Sequence, residues 1–354
     1  MRNTARKVLY FLLITCSSCS SIYRFSVDIQ VPAPVTLPIF AQNVLILNNT
    51  GVQPINHGID RTFEGRAIPA DYPLSLDSMV WSAIDEIAAV LDESGFFNRI
   101  STYRKSLRND SEWLPIARLS PEVQSGFYHT ENFDALLVIE RLLFSVKENV
   151  KIIQPIVYSY EPTPLIDLRA DGAITCSMYY YGKEKPLITF SLSDSMFLKS
   201  SFINDSTVLF KTIPELVLDE LSRTIGNQAA TQFIPTWQTA ERMLFVSLNP
   251  RMQEAAGYAA DHQWAKAESL WKAELEKKTK PTDKAKITFN LAVAAEMQDR
   301  FESAPIWVQK AKKYFENANP NTDSQDIKLT NQYISELEKR IQNNRLLDLQ
   351  WGKE

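Results

Sequence analysis

A repeated spacing of small and aromatic residues near the C-terminus constrains this 354-residue chain more than any other feature. One set comprises Ala255, Tyr258, Trp264, Ala267 and Trp271. A second set with the same offsets lies 37 residues later and comprises Ala292, Ala295, Phe301, Ala304 and Val308. Small residues let antiparallel helices approach closely, and the aromatic residues fill the space at the turn between them. The spacing therefore predicts two stacked helix pairs over residues 249–316.

This pattern resembles the tetratricopeptide repeat (TPR) family, although Glu254 stands where leucine is usual and Glu274 where alanine is usual. Residues 324–343 carry an apolar stripe that predicts a capping helix. The resemblance implies a groove that binds a partner protein, and the residues expected to face it are Lys286, Phe289, Val293, Glu296 and Met297. The alternative is that these helices only pack on a neighbouring domain.

The preceding residues, 43–246, alternate between strand and helix patterns. The apolar run 44–47 predicts a strand that is buried on both faces. Helical spacing over 77–93 predicts an amphipathic helix, capped by Asp77 and stopped by Gly95. A long central strand is expected over 134–146.

Further elements are expected between residue 165 and residue 240. Shorter strands are predicted at 165–168, 173–180 and 186–192, with turns at Gly172 and Gly182 and a helix over 214–240. This order predicts an α/β or α+β domain with a mixed sheet, followed by an all-α, TPR-like domain.

The first eighteen residues predict a signal peptide. Three basic residues precede the apolar run 8–14, and small residues follow it. The end of this leader resembles a lipobox, in which a cysteine is acylated and becomes the first residue of a bacterial lipoprotein. Cys16 and Cys19 both qualify, and Cys19 is preferred because small residues flank it on both sides. Acyl chains hold a protein on a bilayer because each buried methylene contributes about 0.8 kcal/mol.

The complete chain divides into a signal peptide (1–18), an extended lead-in (19–42), the α/β domain (43–246), helical repeats with a capping helix (247–345) and a tail (346–354). It resembles an uncharacterised family of Bacteroidota-type lipoproteins in its Val27-Asp28 and Pro32-Ala33-Pro34 lead-in and in a strand that ends at Asn48-Asn49. The order of the α/β domain also resembles envelope accessory proteins of the Tol and curli-export type. Neither resemblance implies an activity.

The net charge of the chain restricts the classes of partner that it is expected to bind. The formal net charge is −4, and the basic leader contributes none of the acids. A chain of this kind without a basic stripe is a poor candidate for nucleic acid or for anionic lipid head groups. The first acid after Cys19 is Asp28, so we expect an outer-membrane lipoprotein that faces the periplasm.

No motif in the chain predicts catalysis, a metal site or a cofactor. His57, His129 and His262 lack the spacing of a zinc site, and Cys176 lies in an apolar strand pattern typical of a buried thiol. The leading hypothesis is a non-enzymatic scaffold lipoprotein that binds an envelope protein. The alternatives are an envelope hydrolase with an unidentified carboxylate pair, or a glycan-binding protein that uses Tyr179 and Tyr181.

Overall fold

A computed structural model describes residues 21–69, 74–130, 132–153, 163–201, 206–319 and 324–352. The predicted signal peptide, with both candidate anchor cysteines, Cys16 and Cys19, lies outside the described residues. The chain divides into two compact units. Among the described residues, the helical unit comprises 21–31 and Trp237–Asp348, and the sheet unit comprises Pro32–Thr236 and 349–352.

The elements of the described residues follow in chain order. They are β1 (Ser21–Val31), β2 (Asn43–Asn48), β3 (Ile59–Phe63), β4 (Arg66–Ala67), α1 (Asp77–Glu93), β5 (Arg99–Ser106), α2 (Pro121–Thr130), β6 (Ala135–Ile153), β7 (Thr163–Tyr180), β8 (Ile188–Ser201), α3 (Ser206–Ala230), β9 (Thr236–Val246), α4 (Pro250–Ala260), α5 (Trp264–Lys277), α6 (Pro281–Glu296), α7 (Ser303–Ala318) and α8 (Gln325–Gln350).

The sheet unit is built on a mixed sheet, as predicted. Its described strands run in the order β4-β3-β6-β2-β5, and β7 and then β8 extend the sheet from β6. Strand β2 is parallel to β5 and β6, whereas β6, β7 and β8 form an antiparallel meander. The predicted buried strand at 44–47 is confirmed as β2, and the helix at 77–93 as α1.

Apolar side chains on both faces of the sheet explain its continuous hydrophobic runs. Leu137 and Ile139 of β6 face the main core, in which α1 and α3 pack on the sheet. Leu136 and Val138 face a smaller core beneath α2. A β-bulge between Ile139 and Arg141 interrupts this alternation, and it leaves Glu140 outside the strand ladder.

Three details of the predicted secondary structure are wrong. Gly172 is not a turn, since β7 runs through it. A Cβ atom there would lie 2.6 Å from Cδ1 of Ile225, so the glycine instead allows α3 to approach the sheet. Asp77 does not cap α1, whose N-cap is Leu76. The helix expected over 214–240 ends at Ala230, and β9 begins at Thr236.

The helical unit contains the helix pairs that the repeat predicts. Helices α4 and α5 pack together, as do α6 and α7, and α5 also packs on α6. The alanines of both repeat sets are fully buried in one apolar core. The amphipathic helix expected near the end is α8, which continues to Gln350 through part of the predicted tail.

Strands β1 and β9 form a two-stranded ribbon within the helical unit. The sequence placed the domain boundary after residue 246 and treated residues 19–42 as an extended lead-in. The compact units instead divide after Thr236, because β9 packs with the helices and brings β1 with it.

Candidate functional site

One side chain of α6 holds strand β9 against the helices of the helical unit. Asn290 accepts a hydrogen bond from the main-chain nitrogen of Phe245 and donates one to the Phe245 carbonyl, each at 2.8 Å. The Phe245 ring packs edge-on against Phe289 at 5.1 Å. Because Asn290 and Phe245 are buried, this amide provides the partners that water gives an exposed strand.

A buried ionic cluster holds the same strand at Glu296, six residues further along α6. Glu296 of α6 accepts hydrogen bonds from Arg242 of β9, from Arg340 and from the hydroxyl of Tyr333 at 2.7–3.1 Å. Burial raises the pKa of the Glu296 carboxyl, but the hydrogen bonds and charges of Arg242 and Arg340 outweigh burial and hold it below its ordinary value. Glu296 is therefore a paired carboxylate that joins β9, α6 and α8.

These contacts decide where the five predicted groove residues lie. Phe289, Val293 and Glu296 are fully buried, whereas Lys286 and Met297 are partly exposed. The sequence left this face of α6 open to a partner, but the chain's own β9 and Tyr333 of α8 cover it. The sequence did not predict that β9 covers this face of α6, because it indicated that residues 236–240 were the end of a helix.

The face remains open beyond the end of β9. A cavity of about 210 Å³ is lined by Phe245, Ser247, Asn249, Met252, Lys278, Asp283, Lys286 and Ile287. Lys278 and Lys286 are half-buried, and neither ammonium has a carboxylate within 4.0 Å in the described part of the chain. Drug-sized ligands occupy about 300–1,000 Å³, so the cavity suits a side chain or chain end better than a cofactor.

The sheet unit holds a second polar cluster at the carboxyl end of β2. Asn49 donates to Glu140 at 2.8 Å and also to the carbonyl of Ala117. Burial raises the pKa of the Glu140 carboxyl, and hydrogen bonds from Asn49 and Ser177 only partly oppose it. The β-bulge thus places a carboxyl group that resists ionisation beneath the loop that leads to α2.

Other residues considered from the sequence are dispersed. His57 packs on Trp113 with ring centroids 4.2 Å apart, whereas His129 and His262 are exposed. Cys176 is fully buried in β7, and burial raises the pKa of its thiol. Tyr179 is also fully buried while Tyr181 is exposed, so these two rings do not form a common platform for a sugar.

Acidic residues converge at one further small cavity in the helical unit. Glu241 and Glu336 line a space of about 60 Å³, but each carboxylate lies beside an arginine, Arg24 and Arg242 respectively, at 3.3–3.4 Å. Among the described residues, no cluster of three or more histidine, cysteine or acidic side chains is placed to hold a metal ion. No helix in the same ranges is both long and apolar enough to cross a membrane.

The fold and its polar clusters define a two-unit protein of mixed-sheet and helical architecture. A family model described as "Domain of unknown function (DUF8603)" matches residues 41–245, more than half of the chain, and the protein belongs to this family. A second model, "Domain of unknown function (DUF6340)", matches residues 253–339 in the helical unit. No curated protein matches the chain.

Solved structures with remote similarity include a minor lipoprotein from Acinetobacter baumannii, with a TM-score of 0.21 at 10% identity over 54% of this chain and 93% of that one. A protein from Xanthomonas campestris gives 0.22 at 10% identity over 57% and 90%. Lipoprotein GNA1162 from Neisseria meningitidis gives 0.18 at 12% identity over 51% and 98%. At such TM-scores these similarities carry no argument about this chain.

Replacing Asn290 tests whether its amide holds β9. We expect Asn290→Ala to lower the free energy of unfolding by about 1–3 kcal/mol for each main-chain group of Phe245 left buried without a partner. Urea denaturation measures the change. The control Asn331→Ala removes an exposed asparagine of α8 and should stay within about 0.5 kcal/mol of wild type. Equal effects of the two substitutions would show that the Asn290 bonds contribute nothing.

Glu140 makes stability depend on pH. Because its folded-state pKa lies above the ordinary value of 4.5, folding favours the protonated form, and this contribution is lost as the pH rises through the raised pKa. Glu140→Gln cannot ionise, so we expect wild type to lose stability relative to this variant as the pH rises above about 4.5.

Denaturation at a series of pH values measures the difference between Glu140→Gln and wild type. Glu112→Gln, at an exposed carboxylate, is the matched control and should follow the wild-type profile. If the free energies of unfolding of Glu140→Gln and wild type differ by the same amount at every pH, the raised pKa of Glu140 is contradicted.

Proposed function

We propose that the protein is a lipid-anchored envelope lipoprotein that acts without catalysis as a scaffold, and that its helical unit binds a partner protein. This proposal rests on the two hydrogen bonds between the side-chain amide of Asn290 and the main chain of Phe245. Because both bonds go to main-chain groups, they can hold an extended segment whatever the side chain at that position is. The helix pairs of this unit therefore form a surface suited to extended segments, one of which is the chain's own β9.

The open cavity beyond β9 is the position that we assign to the partner. Two half-buried lysines, Lys278 and Lys286, stand at its walls, and Met252 and Ile287 provide an apolar floor. Leu248, between the lining residues Ser247 and Asn249, is 91% exposed. The two lysines outnumber Asp283, the one carboxylate of the lining, so the cavity offers positive charge beside an exposed apolar side chain, which is complementary to an acidic partner segment with an apolar residue.

The TPR assignment belongs to this proposal. Its support is that three of the five equivalent pairs are buried in the same apolar core. These pairs are Ala255 and Ala292, Ala267 and Ala304, and Trp271 and Val308. Two repeats and the helix α8 are short for such an array, in which each unit is stabilised by its neighbours. Filling of the groove by β9 supplies apolar contacts that further repeats would otherwise provide.

A photo-crosslinking amino acid at Leu248 tests the partner site in the intact protein within envelopes. We expect a discrete protein adduct that is lost in the double variant Lys278→Glu/Lys286→Glu, because reversed charge repels an acidic partner segment. Two controls are matched to it: the crosslinker at exposed Ser193 of β8, and the charge reversal Lys313→Glu on α7, which is exposed and outside this cavity. An adduct that persists in the double variant would show that the partner does not bind at this cavity.

The anchor is the second part of the proposal. The sequence supports Cys19 as the acylated residue, and β1 begins at Ser21, so the ribbon of β1 and β9 would start directly after the lipid. We further propose attachment to the outer membrane of a Bacteroidota-type envelope, facing the periplasm, because no acid occurs between Cys19 and Asp28.

Metabolic labelling with a fatty acid tests the anchor. We expect Cys19→Ala to abolish labelling and to release the protein from the membrane fraction, whereas Cys16→Ala keeps both. Two acyl chains are needed for stable anchoring, so the loss should be complete rather than partial. Release by Cys16→Ala alone would assign the anchor to the other cysteine.

A further inference from the structure

Strand β8 (Ile188–Ser201) forms a long open edge of the sheet in the sheet unit. It pairs with β7 over its 14 residues, and β7 is its one strand partner in the described part of the chain. The register between these described residues is regular and contains no bulge. A long, regular edge of this kind is a template on which another strand can pair.

The strands at the two ends of the main strand order carry features that prevent edge pairing. Strand β4 has only two residues, and β5 carries Arg99, Arg104 and Lys105. Short length and positive charge are both means by which proteins protect an edge. Strand β8 contains no proline, and its charged residues are Asp194 and Lys199. Among these three strands, β8 is therefore the one best suited to pairing.

Side-chain contacts between β7 and β8 show which main-chain groups point to the open edge. The hydroxyls of Thr175 and Ser191 lie 2.9 Å apart, and those of Ser177 and Thr189 lie 2.8 Å apart. Side chains approach most closely in those pairs of an antiparallel ladder that are not hydrogen-bonded to each other. The amide and carbonyl groups of Thr189, Ser191 and every second residue after them therefore point away from β7.

One of these outward amides has a partner within the chain. The Ser195 amide donates to the carboxylate of Asp194 at 2.7 Å, and Gln228 of α3 donates to the same carboxylate at 2.6 Å. The outward amides and carbonyls of Ser191 and Ser193 form no hydrogen bond with any described residue. Unpaired groups of this kind are the ones to which an added strand bonds.

The side chains of β8 define the strand that fits beside it. Phe190, Leu192 and Met196 lie on one face and pack against the main core, whereas the residues between them are exposed and mostly carry hydroxyls. An added strand needs the same alternation, so that its apolar side chains extend the buried face and its polar ones stay in water. A second copy of β8 has this alternation, and a two-fold interface uses the same surface on both copies.

Charge and apolar contact restrict the position of the two-fold axis. An axis at Asp194 would place two carboxylates directly opposite each other, which is unfavourable. An axis at Ser195 would bring together the two amides that Asp194 already occupies. With the axis at Ser193, Phe190 lies opposite Met196 of the second copy, and Asp194 lies opposite an uncharged side chain.

We propose that two copies of this chain pair antiparallel through β8, with Ser193 opposite Ser193 of the second copy, and so form one continuous sheet. The pairing provides hydrogen-bond partners for the outward groups of Ser191 and Ser193, and it leaves β8 without a free edge. It goes beyond the proposed function and depends neither on the lipid anchor nor on the partner site of the helical unit.

Cysteine crosslinking of the full-length protein in detergent tests the pairing and its register. Opposite residues of such a pair have Cα atoms about 5.5 Å apart, so a short bismaleimide is expected to join two copies of Ser193→Cys. Thr189→Cys is the matched control, because its two copies would lie about eight residues, or about 27 Å, apart along the strands. Mixed Thr189→Cys and Phe197→Cys proteins are expected to crosslink to each other. Native Cys176 is buried, and wild type is the blank.

Light scattering gives a second test that needs no added thiol. We expect wild type to have the mass of two chains and Ser193→Lys the mass of one, because its two ammonium groups would lie opposite each other at the axis. Ser111→Lys, in the exposed part of the loop before α2, is the matched control and should remain a dimer. Circular dichroism shows whether each variant is folded, and the crosslinking test stands if Ser193→Lys is not.

The mass of a single chain for wild type would overturn the proposal, as would a dimer that persists in folded Ser193→Lys. Equal crosslinking of Ser193→Cys and Thr189→Cys would overturn the register on which it rests. In envelopes, the photo-crosslinker at Ser193 that serves above as a control is expected to join only two copies of this chain. An adduct of Ser193 with a different protein would overturn self-pairing in favour of a strand from that protein.

Discussion

Main-chain groups that leave water must find hydrogen-bond partners, and this protein meets that requirement with side chains at the places where its regular structure cannot. In the helical unit, the amide of Asn290 satisfies both main-chain polar groups of Phe245 in β9, whose one strand partner among the described strands is β1. In the sheet unit, Arg108, Arg141 and Asn49 satisfy the carbonyls of a loop.

The ionic cluster around Glu296 shows how far the helical unit depends on β9. A buried carboxylate is tolerated only when charges and hydrogen bonds compensate for the lost hydration. Arg242, which comes from β9, provides three of those bonds, and Arg340 and Tyr333 provide one each. Removal of the strand would leave Glu296 with an incomplete set of partners. A partner protein is therefore expected beside β9 and not in its place.

The β-bulge at Glu140 has a comparable role in the sheet unit. It shifts the register of β6 against β7 near the carboxyl end of β2, and the carboxyl group of Glu140 accepts a hydrogen bond from Asn49. Asn49 links that carboxyl group to the loop that leads to α2. The paired asparagines Asn48-Asn49 at the end of β2 were noted in the sequence only as a family-like feature, and Asn49 is now seen to support this loop.

Local patterns in the sequence were sufficient to predict much of the fold. The spacing of apolar residues located α1 and β2, and the 37-residue repeat located α4 to α7, because side-chain period and small-residue spacing are properties of a single segment. Gly172 was misread because a glycine that allows a helix to approach a strand leaves the same signal in the sequence as a turn. Strand β9 was missed because its polar half resembles a helix end and its apolar half is buried by distant residues.

The candidate site, like the fold, was predicted from the sequence only in part. The sequence by itself determined that α6 carries Lys286, Phe289 and Glu296 at helical spacing, since these are properties of one helix. Only the tertiary structure decided that Phe289 and Glu296 would be covered by β9 while Lys286 stayed at an open cavity. Burial depends on which distant segment packs on a helix face, and that choice is made by the combined hydrogen bonding and apolar contact of Asn290, Arg242 and Phe245, which no local pattern contains.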